Sequence, residues 1–222
     1  MAKILYLHGL EVNVSVKHQR LLESAYGNEN VKAPNLKTQQ TTTLFSLSAI
    51  LSACLYLLAG RGATHIMLKR SITIAEKAFK SSRSNIIVAT SFGAITALQM
   101  DIPKCPMLLL APAHEQYTKY MKIEKPMTIK EFPYVLIIHG CNDSNIPIED
   151  SINLVETSTV GKCRLEIIED EDKLTTITSE DMRSWVEEVY DRGVQEVMIM
   201  AQDGNKLVDP TLFGKDLDFD GT

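Results

Sequence analysis

Residues 85–99 read Asn-Ile-Ile-Val-Ala-Thr-Ser-Phe-Gly-Ala-Ile-Thr-Ala-Leu-Gln, and this stretch decides the fold. Residues 86–89 are β-prone and apolar, which predicts a buried strand. Residues 94–100 are mostly apolar as well and predict a helix. Only residues 90–93 lie between the two elements, so the strand must turn into the helix within a few residues.

A turn this tight holds its middle residue, Ser91, on a sharp bend with the side chain above the edge of the sheet. The flanking positions need small residues, because a larger side chain would collide with the strand or the helix. Ala89 and Gly93 occupy these positions. The pattern Ala-x-Ser-x-Gly is a variant of the Gly-x-Ser-x-Gly nucleophile elbow, which makes Ser91 a candidate nucleophile. Alternatively, Ser91 is a small residue that closes an ordinary turn.

The rest of the chain alternates apolar runs with amphipathic segments. This alternation predicts an α/β fold whose mostly parallel sheet carries helices on both faces. Strands are predicted at 3–7, 31–33, 107–111, 134–138 and 164–168, and helices at 15–26, 148–158 and 179–192. Residues 64–80 are ambiguous, with a strand at 66–68 or a helix around 74–79. One domain therefore covers residues 1–192, followed over 193–222 by an edge strand at 195–200 and a loosely ordered acidic tail from Ala201 onward.

Composition and charge limit the classes of function. The net charge is −5, with +7 over residues 1–110 and −12 over residues 111–222. The basic residues of the first half are scattered, so we expect no nucleic-acid partner. The four cysteines form no Cys-x-x-Cys pair, and no spacing is typical of metal ligands, so we expect neither a metal nor another cofactor. A strand begins almost at Met1, which leaves no room for a signal peptide and predicts a cytoplasmic protein.

Residues 44–60 are strongly apolar. The run is shorter than the roughly 20 residues that a membrane-spanning helix needs, and it contains Ser46, Ser48 and Ser52. We therefore predict a buried helix on the sheet and no stable membrane insertion. An exposed apolar face that forms a homodimer or contacts lipid is the alternative.

Three predicted strand ends carry residues suited to acyl-transfer chemistry, and the carboxyl ends of parallel strands share one edge of a sheet. After the first strand, Gly9 allows the backbone to turn so that the N–H groups that follow it point inward toward a developing oxyanion. After the elbow strand, Phe92 supplies a second N–H at the start of a helix. After the strand at 134–138, the loop His-Gly-Cys-Asn-Asp places the carboxylate of Asp143 where it can orient a base.

The order of these motifs resembles the α/β-hydrolase family. His-Gly near the start, the elbow serine and His-Gly-x-x-Asp-x-x-Ile-Pro are similar to small, lid-less, single-domain serine esterases that open with Tyr-Leu-His-Gly, and the likeness covers residues 3–190. The resemblance implies an α/β-hydrolase fold and a small ester substrate. It also implies that Ser91 is the nucleophile, Asp143 is the triad acid, and the N–H groups of Leu10 and Phe92 form the oxyanion hole.

The chain departs from the family at the base. The family places a histidine in the loop after the last strand, but here residues 169–174 read Glu-Asp-Glu-Asp-Lys-Leu. Lys173 stands at the expected position, and its acidic neighbours favour the charged amine, which is a poor base. His114, just past the strand at 107–111, is the other candidate base. His8 and His139 are predicted to end their strands without a catalytic role.

Two functions follow from this pattern. The first is a serine hydrolase, esterase-like or thioesterase-like, that acts weakly on a small acyl ester through Ser91. The second is a catalytically degenerate member of the family that binds a partner. The retained serine and Asp143 favour the enzyme, whereas Lys173 favours the degenerate scaffold.

Overall fold

A single sheet of six parallel strands organises the part of the chain that the structure describes. The structure is a computed structural model and describes residues 1–38, 53–113, 123–169 and 174–214. The strands are β1 (Ile4–Leu7), β2 (Val31–Lys32), β3 (Ile86–Thr90), β4 (Met107–Leu110), β5 (Val135–Gly140) and β6 (Cys163–Ile168). Their order is β2-β1-β3-β4-β5-β6, and each neighbouring pair is parallel. Each of these six strands was predicted from the sequence to within two residues at either end.

Helices cover both faces of this sheet, as the alternating pattern predicts. They are α1 (Val12–Tyr26), α2 (Ala53–Ser82), α3 (Phe92–Gln99), α4 (Ile148–Glu156) and α5 (Ser179–Gln202), with a short 3-10 helix at Pro210–Phe213. Side chains alternate along each strand, so Ile4 and Tyr6 pack against α1 and α5. The opposite face of the sheet, which includes Leu5 and Leu7, packs against α2, α3 and α4. The predicted α/β class, with helices on both faces, is confirmed.

The ambiguous segment at 64–80 is entirely helical. Within α2, Leu68, Ala75 and Phe79 are buried at helical spacing, whereas Ile66 is 54% exposed. The strand considered at 66–68 is therefore wrong. Residues 44–52 of the apolar run lie outside the described residues, and residues 53–60 open α2. Within the described ranges, no helix is long and apolar enough to cross a membrane.

The edge strand predicted at 195–200 is wrong, because α5 continues through Gly193 to Gln202. Its buried residues follow a helical period, which the short apolar run did not reveal: Val186, Val189, Gly193, Val197 and Met200. Glycine is tolerated inside this helix because the backbone passes close to Pro106. A Cβ at Gly193 would lie 2.0 Å from the Cγ of Pro106.

The residues after α5 are also better ordered than the composition predicts. The N–H of Lys104 donates to the carbonyl of Leu207 at 2.7 Å, and the side-chain amide of Asn85 donates to that of Leu212 at 3.2 Å. Val208 and Phe213 are buried against the end of α5. The loose order expected from Ala201 onward is therefore wrong up to residue 214, and residues 215–222 lie outside the described residues.

Replacing Gly193 by alanine is expected to destabilise the protein, although alanine favours a helix by about 0.5–1 kcal/mol over glycine. The new methyl group would meet the rigid ring of Pro106, and overpacking of this kind costs about 1–3 kcal/mol. Urea unfolding of Gly193→Ala measures the loss. In a Pro106→Gly background, which removes both the Cβ and the Cγ of residue 106, the same change should be neutral or stabilising. An equal loss in both backgrounds would show that the contact is not responsible.

Candidate active site

Ser91 lies on a strained bend between β3 and α3. Its backbone has φ 49° and ψ −114°, in the region of positive φ that residues with a side chain rarely adopt. The N–H of Ser91 donates to the carbonyl of Leu110 at 3.0 Å, and its own carbonyl accepts from the N–H of Ala94 at 3.0 Å. The bend predicted from the sequence is therefore present and fixed from both sides, whereas the role of Ser91 as a nucleophile stays a prediction.

The bend depends on the close approach of α3 to the end of β1. A Cβ at Gly93 would lie 2.0 Å from the carbonyl oxygen of Leu7, so only glycine fits there. Gly9 borders the elbow from the other side, since a Cβ on it would lie 3.3 Å from the Cβ of Ser91. Ala89, fully buried, pairs with Leu7 across the sheet. The packing around the elbow therefore requires small residues at positions 89 and 93, as the sequence pattern predicts.

Asp143 is held firmly through one oxygen of its carboxylate. The Oδ1 atom accepts the N–H groups of Asn145 at 2.8 Å and Ile146 at 2.9 Å. The Oδ2 atom is buried and has no hydrogen-bond partner among the residues that the structure describes. Because an unpaired buried carboxylate oxygen is energetically costly, this oxygen calls for a donor that enters the cleft.

His139 fixes the loop that carries Asp143. Its side chain is fully buried, and its Nε2 lies 2.9 Å from the carbonyl of Ile146, so Nε2 carries the proton and donates. The Nδ1 atom then accepts the hydroxyl of Ser151 at 2.6 Å. The sequence suggested only that this histidine ends a strand. Its position before the Asp143 loop and Ser151 was the available signal for a positioning role.

His8 plays the corresponding part after β1. Its Nδ1–H donates to the carbonyl of Gly9 at 2.7 Å, and its Nε2 accepts the N–H of Leu36 at 2.9 Å. Burial lowers the pKa of His8, which favours the neutral ring that this pair of bonds needs. Since a peptide is planar and trans, holding the carbonyl of Gly9 also sets the direction of the N–H of Leu10.

A buried polar network lies beneath Ser91. The Nε2–H of His18 donates to the carbonyl of Leu174 at 3.0 Å, and its Nδ1 lies 3.2 Å from the hydroxyl of Thr90. The hydroxyl of Tyr6 also reaches Thr90, at 3.3 Å. His18 therefore joins the residue before Ser91 to the residue that follows Lys173. Nothing in the sequence singled out His18, because its partners are distant along the chain.

These loops enclose a cleft of about 430 Å³ at the carboxyl ends of the strands. Ser91, Asp143 and Leu10 all line it, as predicted from the shared sheet edge. Phe92 is the first residue of α3 and its side chain is fully buried. His114 and Lys173 lie outside the described residues. No histidine of the described ranges lines this cleft.

Comparison with known proteins identifies the fold. Neither a protein-family model nor a curated protein sequence matches the chain. Solved structures do match, among them one of a Thermus thermophilus protein with 15% identity and a TM-score of 0.52, covering 84% of this chain and 88% of that one. A dienelactone hydrolase from Anabaena variabilis ATCC 29413 has 13% identity and a TM-score of 0.51, with 87% of each chain covered. An α/β-hydrolase enzyme from a Medee basin deep-sea metagenome has 13% identity and a TM-score of 0.50, over 87% and 83% of the chains. The chain therefore has an α/β-hydrolase fold.

The free energy of unfolding is expected to fall as the pH drops below 6.5, the ordinary pKa of His8. The folded state keeps His8 neutral, so below that pH the unfolded chain binds more protons and acid favours unfolding. Urea unfolding of the protein and of His8→Asn, at several pH values between 7.5 and 5, measures this contribution. The variant should show the weaker pH dependence. Equal slopes for both proteins would mean that His8 titrates normally.

Proposed function

We propose that this protein is a serine hydrolase that cleaves a small carboxylic ester or thioester with Ser91 as the nucleophile. One observation supports this most directly: a strained Ser91 shares a cleft with Asp143, whose Oδ1 is fixed and whose Oδ2 is buried without a described partner. A nucleophile–base–acid arrangement needs a fixed carboxylate with one oxygen left to accept a hydrogen bond from the base. The solved structures with a similar fold, which include a dienelactone hydrolase, agree with this class of reaction.

In this mechanism the Oγ of Ser91 attacks the carbonyl carbon of the ester while a base takes its proton. The N–H groups of Leu10 and Phe92 stabilise the negative charge on the carbonyl oxygen. The tetrahedral intermediate collapses, the alcohol or thiol leaves with the proton from the base, and Ser91 holds the acyl group. Water then attacks this acyl-enzyme by the same steps and releases the acid. Asp143 Oδ2 accepts a hydrogen bond from the charged base.

The described histidines do not provide this base. His8, His18 and His139 each have both ring nitrogens in hydrogen bonds to other groups. His65 faces Glu124 and belongs to another surface groove. The proposed base is therefore His114 or Lys173.

Both candidates are close along the chain to residues that are connected to the cleft, since Ala111 lines it and precedes His114 by three positions. His114 follows Ala113, which is buried just beyond β4, the strand beside β3. Lys173 precedes Leu174, which is linked through His18 to Thr90. If Lys173 is the base, the acidic residues 169–172 would keep its amine charged, so we expect weak activity at neutral pH.

The alternative is a degenerate scaffold that binds a partner and does not hydrolyse esters. The lysine at the position where the family has histidine favours it. The bend at Ser91 and the cleft that it shares with Asp143 would then be features of the fold without a catalytic role, and Ser91 would be unreactive.

Labelling with a fluorophosphonate probe, read by intact mass, tests the nucleophile. We expect one adduct on the native protein, formed when the Oγ of Ser91 displaces fluoride, and none on Ser91→Ala. Asp143→Asn keeps the Oδ1 acceptor and should fold normally, but it should label more slowly by a factor on the order of 10³–10⁴. Ser24→Ala, at an exposed position on α1, is the matched control. An adduct that persists in Ser91→Ala would contradict the proposal.

Two further variants identify the base. Either His114→Ala or Lys173→Ala should reduce the labelling rate by several powers of ten, because the unassisted serine is a weak nucleophile. The rate of adduct formation by intact mass measures this, with the thermal midpoint as a check of folding. If neither variant slows labelling, the assignment of the base is wrong. If the native protein is unlabelled and Lys173→His restores labelling, the degenerate scaffold is the correct function.

A further inference from the structure

A second cavity, of about 180 Å³, continues the cleft beyond the predicted oxyanion N–H of Leu10. The two cavities share Gly9, Leu10 and Ser15. The second cavity lies between α1 and the segment after β2. Its polar lining residues are His8, Ser15, Gln19, Asn35 and Thr38.

Ser15, at the junction of the two cavities, carries a polar atom that the fold does not use. The residue is only 6% exposed, and its Oγ has no hydrogen-bond partner within the described ranges. The Ser15 hydroxyl interacts weakly with the hydroxyl of Tyr6 and so opposes the rise that burial causes in the pKa of that tyrosine, but it forms no hydrogen bond of normal geometry with it. A buried hydroxyl without a partner reduces stability, so a ligand in the cleft is the natural acceptor for it.

The charges around the two cavities indicate the kind of group that fits. Among their described lining residues, the ionisable ones are Glu11, Asp143 and His8, and His8 is neutral. Neither cavity is lined by lysine or arginine in the described ranges, and these are the residues that bind carboxylate or phosphate groups. Because the carboxylates of Glu11 and Asp143 repel an anion, an uncharged group that offers an oxygen is favoured over an anionic one.

The position of the second cavity indicates which part of the ester enters it. A leaving group must stay near the base, which returns the proton to it. The candidate bases follow β4 and β6, whereas the second cavity is lined by residues from the loop after β1, from α1 and from the segment after β2. The second cavity, which extends past Leu10, therefore accommodates the acyl part of the ester and not the leaving group.

We propose that the second cavity binds an uncharged acyl chain bearing a hydroxyl or ether oxygen, and that the Oγ of Ser15 donates a hydrogen bond to that oxygen. The substrate class is then a small hydroxyacyl or alkoxyacyl ester. The placement of the scissile carbonyl over Ser91 rests on the proposed function. The preference for an acyl chain that bears an oxygen rests on Ser15 and the second cavity alone.

Binding of two matched esters tests the proposal. Ethyl methoxyacetate and ethyl butyrate differ in one ether oxygen in place of a methylene group. Their dissociation constants are measured by NMR titration of the full chain carrying Ser91→Ala, which cannot turn them over. We expect the ratio of the two constants to favour the methoxyacetate, and Ser15→Ala in the same background to reduce that preference about 3–10-fold, as for one hydrogen bond between neutral groups. Ser24→Ala, also on α1 but outside both cavities, should leave the ratio unchanged.

Thermal unfolding separates a binding role from a structural one. Because Ser15→Ala removes an unsatisfied buried hydroxyl, its melting temperature should be equal to or above that of the parent. An unchanged ratio in Ser15→Ala, or no measurable binding of either ester, overturns the proposal. The two proposals can fail separately. If the fluorophosphonate probe does not label Ser91 but the ratio of dissociation constants still depends on Ser15, the hydrolase function is wrong and the binding site in the second cavity is supported.

Discussion

The contact between the first turn of α3 and the end of β1 is the constraint on which the site depends. With no Cβ at Gly93, the helix backbone comes against the carbonyl oxygen of Leu7, where a side chain would be only 2.0 Å away. Because the helix begins so close to β1, the backbone turns from strand to helix at Ser91 with a positive φ. The strain at Ser91 is held by the parallel pairing of β1, β3 and β4 on either side of it. The sheet and the elbow are therefore one structural unit.

The polar groups around the cleft divide into those that the fold uses and those that it leaves unpaired. His8 and His139 act in similar ways, since both ring nitrogens of each form hydrogen bonds and one of these bonds goes to a loop carbonyl. Each thereby fixes the loop after its own strand. By contrast, Asp143 Oδ2 and Ser15 Oγ are buried at the cleft without described partners. These two unpaired polar atoms lower the stability of the folded protein, and such a loss is typical of binding and catalytic sites.

Local patterns predicted well wherever one physical requirement dominated. The apolar runs identified all six strands, because a parallel sheet buried on both faces needs continuous hydrophobic residues. The same reasoning failed at the C-terminal end of α5. There a short apolar run suggested a strand at 195–200, but the helix continues past Gly193, whose backbone packs against Pro106. Tertiary contacts also order residues 203–214, whose composition predicts a loose tail.

The sequence by itself determined the class of fold, the bend at Ser91 and the presence of Asp143 at the same sheet edge. These follow from residue spacing, small residues and strand ends, which are local properties of the chain. Only the tertiary structure decided what the histidines do, since His18 bonds to Thr90 and Leu174, which lie 72 and 156 positions away along the chain. It also decided that Ser15, an ordinary residue of an amphipathic helix, faces the cleft without a described partner. Hydrogen bonds between distant segments depend on how the elements pack, and no local pattern encodes that packing.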